Sequence, residues 1–341
     1  MKSRITLAGS IIVDNVKTVA SWPERGMLVP ILKMERAPGG AVANSGVDIK
    51  TLDPSIEVAA LGRVGDDDAG EFVTGFLRDR GLDVSGVGQE KGVPTTFTDV
   101  MTMAVTGERT FFNMHGADSK LVPEDVDPSA LDTDLFHLGY LLLLDGLDAA
   151  DDDYGTKAAR LLAKVRAVGI KTSVDIVSEQ SERFAHVVRP ALKHCDYVII
   201  NEVEGALATG IPAGGADGRP SVGNLRRISE ELFALGVKER VVVHAPEVSV
   251  SLDRTGSFEA VPSLDLPSGW IKGSVGAGDA FCAGILYSIL KDIPAKEGLR
   301  LASCSAAMNL AATDSVSGAK PFAETMALDS RFPRKCIDGC R

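Results

Sequence analysis

No apolar run in this 341-residue sequence approaches the roughly 18 residues that a membrane-spanning helix needs. Positive charge is short as well. With 36 Lys+Arg against 47 Asp+Glu, the formal net charge of -11 repels nucleic acid and anionic membrane surfaces at long range. Cysteine is limited to Cys195, Cys282, Cys304, Cys336 and Cys340, an odd and thinly spread set that suits a reducing cytosol and excludes a disulfide framework. Cys336 and Cys340 have no histidine nearby, so they read as a frayed tail rather than a metal site. The Walker-type loop G-x-x-x-x-G-K-[ST] is absent, and the spacing after Gly278 does not give the dinucleotide fingerprint G-x-G-x-x-G. A phosphate, if bound, must be held by another design, and a dehydrogenase is disfavoured.

What is present is an ordinary globular balance, 45% hydrophobic and 24% charged, able to bury a sizeable core in one large domain. Lys2, Arg4 and the apolar stretch Ile5 to Val13 superficially resemble a signal peptide. Asp14 closes the stretch with no cleavage site after it, so a first strand is expected, in a soluble, cytoplasmic protein with no nucleic-acid or membrane partner.

From residue 130 onward, short β-branched runs alternate with helical patterns. The strands are expected at 134–144, 171–177, 196–201 and 240–245, with helices at about 155–167, 181–193 and 222–235. Strands of this non-alternating kind imply an α/β fold with a mostly parallel sheet covered by helices on both faces. The N-terminal third differs: alternating segments between Ser21 and Met34 and between Thr95 and Met114, the latter with a Thr106-Gly107 turn, suit a small antiparallel sheet over one edge. "GIPAGGADGRPS" (210–221) reads as a Gly/Pro-rich loop.

The densest chemistry lies in "GWIKGSVGAGDAFCAGILYSIL" (269–290). Helix-start amides have no partner inside their helix and carry partial positive charge, so Gly276-Ala277-Gly278 can cradle an anion, while a buried apolar helix fixes the cradle. In isolation, however, a tight turn capped by Asp279 explains the same residues.

"GSVGAGDAFCAG" resembles the C-terminal signature of the PfkB (ribokinase-like) carbohydrate kinases, and further segments match that family in the expected order: "AGSIIVDNV" (8–16), "PGGAVANSG" (38–46), "LGRVGDDDAGEF" (61–72) and "NEVE" (201–204). The resemblance implies a single ribokinase-like domain over residues 1–341, a central mostly parallel sheet with a small β lid whose strands are inserted at about 15–36 and 95–115. It implies ATP- and Mg²⁺-dependent phosphorylation of a hydroxyl of a sugar-like acceptor. Asp279 is then the catalytic base, and the backbone of Gly276, Ala277 and Gly278 the anion hole. Asp14, ending the first strand, with Gly39, Gly40 and Asn44, would bind the sugar. Asn201, Glu204 and Ser274 would serve the nucleotide, with Glu204 reaching magnesium mainly through water. A homodimer through the lid is a further implication.

On the residues alone, Asp14 also reads as a turn residue, Asn44 as a helix cap, and Asn201 with Glu204 as a cap and its N3 glutamate. Asp66, Asp67 and Asp68 read as a turn and a solvated helix start rather than a metal site. A helix-start carboxylate such as Asp279 is expected to be ionised at neutral pH.

The sequence departs from the family in three places. Ala41 stands where ribokinases proper carry lysine, which points away from ribose and toward fructokinase-like members. Gly273-Ser274-Val275 replace the residues ahead of G-A-G-D, leaving a monovalent-cation site open. His244-Ala245-Pro246-Glu247 replace a glycine-containing nucleotide segment, so the donor is held differently or is not ATP. A nucleoside kinase and a non-catalytic sugar or nucleotide sensor stand as the alternatives.

Overall fold

Gly9 decides where the first strand stops. Its φ is +123°, and a Cβ there would sit 2.1 Å from the Gly139 carbonyl oxygen, so β1 (Arg4–Gly9) breaks off against the returning chain. The apolar N-terminal stretch is therefore two strands rather than one. Asp14 is the third residue of β2 (Ile12–Val19), in a different sheet, instead of closing the first strand.

The computed structural model describes residues 3–179, 182–215 and 218–339. After β2 come β3 (Ile31–Gly39), β4 (Glu57–Gly65), β5 (Asp83–Glu90), β6 (Phe97–Met103), β7 (Arg109–Met114) and β8 (Leu135–Leu141). Then follow β9 (Ala150–Asp151), β10 (Gly155–Thr156), β11 (Lys171–Ile176), β12 (Tyr197–Asn201), β13 (Arg240–His244), β14 (Val248–Asp253) and β15 (Phe258–Pro262). The helices are α1 (Ala41–Leu52), α2 (Asp68–Asp79), α3 (Asp145–Asp148), α4 (Lys157–Ala167), α5 (Phe184–Leu192), α6 (Glu202–Thr209), α7 (Val222–Leu235), α8 (Ala277–Leu290), α9 (Ala295–Leu310) and α10 (Phe322–Arg331).

Nine strands form the main sheet in the order β15-β14-β13-β12-β11-β8-β1-β4-β5. All neighbours pair in parallel from β5 to β13, and β14 and β15 add an antiparallel edge. Side chains alternate between two apolar layers, as the strand period of two requires. Val198 and Ile200 of β12 enter the layer under α4 to α7, while Ile199 enters the layer under α1, α8 and α9. These are the buried, two-faced strands expected of a parallel sheet.

The small sheet has the order β3-β2-β6-β7. The β6-β7 hairpin turns at Gly107, φ +71°, where the sequence placed it. The other half differs from expectation: residues 21–30 form no strand, and β2 and β3 flank them, because Trp22-Pro23 and Pro30 interrupt the pattern. The sheet is also not wholly antiparallel, since β2 pairs with β6 in parallel.

The tail is docked as far as Ile337, which packs on the apolar layer under α4 to α7, rather than frayed from Cys336. Leu264 and Arg334 form a bridge, the Lys335 amide donates to the Ser263 carbonyl at 2.9 Å, and the Arg334 guanidinium is held by Asp329. Cys336 is exposed, and Cys340 lies outside the described residues. Loop 210–221 closes on itself through a Gly214–Pro220 bridge. No described helix is long and apolar enough to cross a membrane.

Candidate active site

Two helix N-termini and one strand end converge at the carboxyl edge of the main sheet, the place where open α/β sheets bind ligands. α8 starts at Gly276, whose φ of +78° and lack of a Cβ allow it to lie against Ser315, where a Cβ would come within 2.6 Å of the carbonyl oxygen. α1 starts at Gly40, φ +86°, for the same reason against Ser10. The first turns of these helices bring Asp279 and Asn44 together: the Asn44 Nδ2 donates to Asp279 Oδ2 at 2.9 Å. The Tyr140 hydroxyl, at the end of β8, donates to the other oxygen of Asp279. Ser45 Oγ reaches the Asp279 carbonyl at 3.4 Å.

Asp279 is buried, and burial raises its pKa from the ordinary carboxylate value while the Tyr140 and Asn44 hydrogen bonds pull it back. The helix-start expectation of a simply ionised group therefore meets an opposing desolvation that the sequence did not reveal. Burial also pushes Tyr140 well above its usual value, so its hydroxyl remains a donor.

Asp14 comes down from the small sheet. Gly39 makes room for it, because a Cβ there would lie 2.7 Å from the Asp14 carboxylate. Burial, then the Asp279 charge, pushes Asp14 up to about 7, and Arg109 works against them. Arg109 is on β7, on the same face of the sheet as Asp14 by strand register, and its Nη2 donates to the Thr313 carbonyl. Neither Arg109 nor Tyr140 was singled out by sequence, since neither carries a local motif: Arg109 is brought to Asp14 through the β6–β7 hairpin and the β2–β6 pairing, and Tyr140 through the β1–β8 pairing.

Beside this centre a cleft of about 720 Å³ runs along the start of α8. Its walls include Asn201, His244, Pro246, Leu264, Ser274 and Gly278. A Cβ added to Gly278 would meet only His244, at 3.9 Å, so this glycine faces open space. The Ala277 amide leans toward the Ser274 carbonyl at 3.4 Å. The replaced segment 244–247 ends β13 and turns tightly into β14, with the Ala245 amide donating to Val248 O at 2.9 Å. His244 packs on Phe281, ring centroids 4.6 Å apart, and burial lowers its pKa to about 4, so the ring is neutral.

Asn201 and Glu204 form the capping box of α6. Asn201 Oδ1 accepts from the Val203 and Glu204 amides, and Glu204 Oε2 accepts from the Asn201 amide, each at 2.9 Å. Glu204 Oε1 also accepts from Ser178 Oγ and Asn201 Nδ2 at 2.6 and 2.7 Å. Asn201 thus lines the cleft while Glu204 is buried behind it, its pKa raised to about 7 chiefly by burial. Of the acidic run, Asp67 caps α2 by accepting from the Gly70 amide, and it also accepts from the Thr95 amide and hydroxyl.

A large α/β sheet, a small covering sheet, and a buried carboxylate at a glycine-started helix beside a cleft are the architecture of the ribokinase-like fold. The sequence model of the pfkB family carbohydrate kinases matches residues 2–321, and the chain belongs to that family: it is a sugar kinase. It is 24% identical over 291 residues to the 5-dehydro-2-deoxygluconokinase of Geobacillus kaustophilus (strain HTA426), covering 83% of this chain and 81% of that one. To fructokinase-1 of Zea mays it is 27% identical over 292 residues, 83% and 82% of the two chains. In fold it is similar to Arabidopsis thaliana ribokinase complexed with ribose and ATP, with a TM-score of 0.79 at 19% identity over 96% of this chain and 99% of that one. It also resembles the fructokinase of Xylella fastidiosa with bound ATP, TM-score 0.74 at 19% identity, covering 97% and 99%.

Proposed function

We propose that this sugar kinase transfers the γ-phosphoryl group of ATP to a hydroxyl of a small sugar or sugar derivative, with Asp279 as the base. The observation that carries the reading is the fixed carboxylate: Asp279 is held on one side by Asn44 and on the other by Tyr140, next in sequence to Gly278 on the cleft wall. Phosphoryl transfer asks the protein mainly for positioning and for donors aimed at developing charge.

The residues fit a nucleotide. The cleft has the size of a ligand pocket, and Gly278 lets a phosphate approach the backbone of the α8 start. Gly276 and Gly278 are the stronger anion-hole donors, Ala277 the weaker, and Ser274 stands on the cleft wall. Asn201 stands on the cleft wall, where it would meet the donor. Both Glu204 oxygens already accept hydrogen bonds, so Glu204 would act on magnesium through water and through Asn201. When bound, magnesium supplies charge neutralisation of the donor's phosphates.

The acceptor lies between Asp14, Asn44 and Asp279, under the small sheet, which serves as the lid. Gly39 leaves room for the Asp14 carboxylate and Gly40 lets the start of α1 pack on Ser10, and Asp14 accepts from neighbouring sugar hydroxyls. Asp279 orients the attacking hydroxyl and takes its proton as the bond to phosphorus forms. The lid also exposes Leu32, Met34 and Phe112, with Met34 and Phe112 on the face opposite Asp14, apolar area that supports a homodimer through this sheet.

A screen for ADP release with ATP and Mg²⁺ across hexoses, pentoses, sugar acids, inositols and nucleosides tests the proposal. Turnover of a ketohexose or a deoxy-gluconate derivative is expected. Turnover confined to nucleosides would redirect the acceptor assignment, and thermal stabilisation by ligands with no ADP from any acceptor would indicate a sensor.

A further inference from the structure

The layer beneath α8 holds a set of side chains that phosphoryl transfer does not use. His137 on β8, Asp175 on β11 and Cys282 on α8 are all buried, and one ligand atom from each lies within 4.8 Å of the others. Among the described residues this is the group of His, Cys, Asp and Glu side chains that comes together so closely. We propose that these three residues form a binding site for a thiophilic divalent cation of the zinc class, one helical turn behind Asp279.

The donor set and spacing fit such an ion. A tetrahedral zinc ion with Zn–N of about 2.0–2.1 Å and Zn–S of about 2.3 Å sets nitrogen and sulfur about 3.6 Å apart. Cys282 Sγ and His137 Nε2 are 3.8 Å apart. The other ring nitrogen, Nδ1, is 2.9 Å from Ser173 Oγ, the outer contact that fixes ring orientation in histidine metal sites. Asp175 Oδ1 accepts from the Ile176 amide at 2.7 Å, which holds the carboxylate in place.

Gly139 runs between His137 and Asp175, where a Cβ would meet Ala41 Cβ at 2.8 Å and stand 3.5 Å from His137 Nε2 and 3.6 Å from Asp175 Cβ. Imidazole, thiolate and carboxylate together select zinc or cobalt over magnesium, which prefers oxygen donors and retains its water. The site is therefore distinct from any magnesium that accompanies the nucleotide, and it stands whether or not the proposed phosphoryl acceptor is correct.

Cobalt(II) is the probe. Titrating the purified full-length protein, with Cys336 and Cys340 replaced by Ser, is expected to give one equivalent of binding with a thiolate-to-cobalt charge-transfer band, and zinc should displace it. The band should be lost in Cys282→Ser and weakened at least tenfold in apparent affinity in Asp175→Asn. Should Cys282→Ser not fold, X-ray absorption at the zinc edge of the parent protein is decisive. One sulfur at about 2.3 Å with nitrogen and oxygen neighbours supports the site. No charge-transfer band, a band that persists in folded Cys282→Ser, or a zinc shell without sulfur would overturn it.

Discussion

Asn44 and Asp279 are 235 residues apart in sequence, yet the Asn44 amide donates to the Asp279 carboxylate at 2.9 Å in the interior of the protein. A hydrogen bond to a charged acceptor contributes about 1.5–3 kcal/mol, most of it through orientation and charge stabilisation here. Asn44→Ala is therefore expected to lower kcat/KM about 10- to 100-fold. Asn44→Asp should do more, because a second carboxylate raises the pKa of Asp279, and the acidic limb of the pH–rate profile should move to higher pH. Steady-state kinetics over pH 5 to 9 checks both.

The two glycines of the cradle should behave differently. At Gly276 a side chain meets both a positive φ and a Cβ position 2.6 Å from Ser315 O, so Gly276→Ala should lose about 1–3 kcal/mol of stability along with activity. Gly278 has room for a Cβ, with its nearest neighbour at 3.9 Å, and sits in the first turn of a helix. Gly278→Ala should fold with unchanged or slightly raised stability but lose at least tenfold in kcat, since the methyl occupies the phosphate side. Urea unfolding paired with kinetics separates the two variants.

The buried acids set the pH dependence of stability. The Asp14 carboxyl titrates at about 7 in the folded chain against an ordinary value of 3.8, so the folded state binds the proton more tightly than the unfolded one. Its favourable contribution is complete below about pH 4 and is lost progressively as pH rises through 7. Asp48, Asp118, Asp148 and Glu204 are raised in the same sense. The ligand-free protein is expected to be more stable at pH 5 than at pH 8. Asp14→Asn should shrink that difference by about 2–3 kcal/mol, from a shift of about three pKa units over part of its range. A variant with the parent's full pH slope in urea denaturation would refute this.

Arg109 ties the small sheet to the loop after α9 through Thr313 and is a cation that acts on Asp14. Arg109→Ala should loosen this cover and raise the Asp14 pKa further. The expected signature is a sugar KM raised at least tenfold with kcat changed much less, most marked below pH 7, where Asp14 becomes protonated.

Much of this arrangement was legible in the sequence. The parallel sheet follows from buried runs such as Val198–Ile200, and helix 222–235 was expected at the limits it has. Asp279 and its glycines stand in one contiguous motif, so their place at a helix start could be read directly. Asp14 was read in the right segment but on the wrong strand, because the break at Gly9 depends on a carbonyl 130 residues away. Tyr140, Arg109 and Asp175 were missed for the same kind of reason: each is an ordinary strand residue until register and sheet order carry it to the α8 start. Burial was the least legible feature, and it is burial that raises the pKa of Asp279.

The central claim is that Asp279 takes the proton from the acceptor hydroxyl. Once an acceptor is identified, Asp279→Asn should keep the fold and the hydrogen-bond reach of the side chain while removing the base. Its kcat with ATP and Mg²⁺ should fall by about 10²–10⁴-fold, with KM for the sugar changed far less. A folded Asp279→Asn protein that phosphorylates the acceptor as fast as the parent would contradict the account.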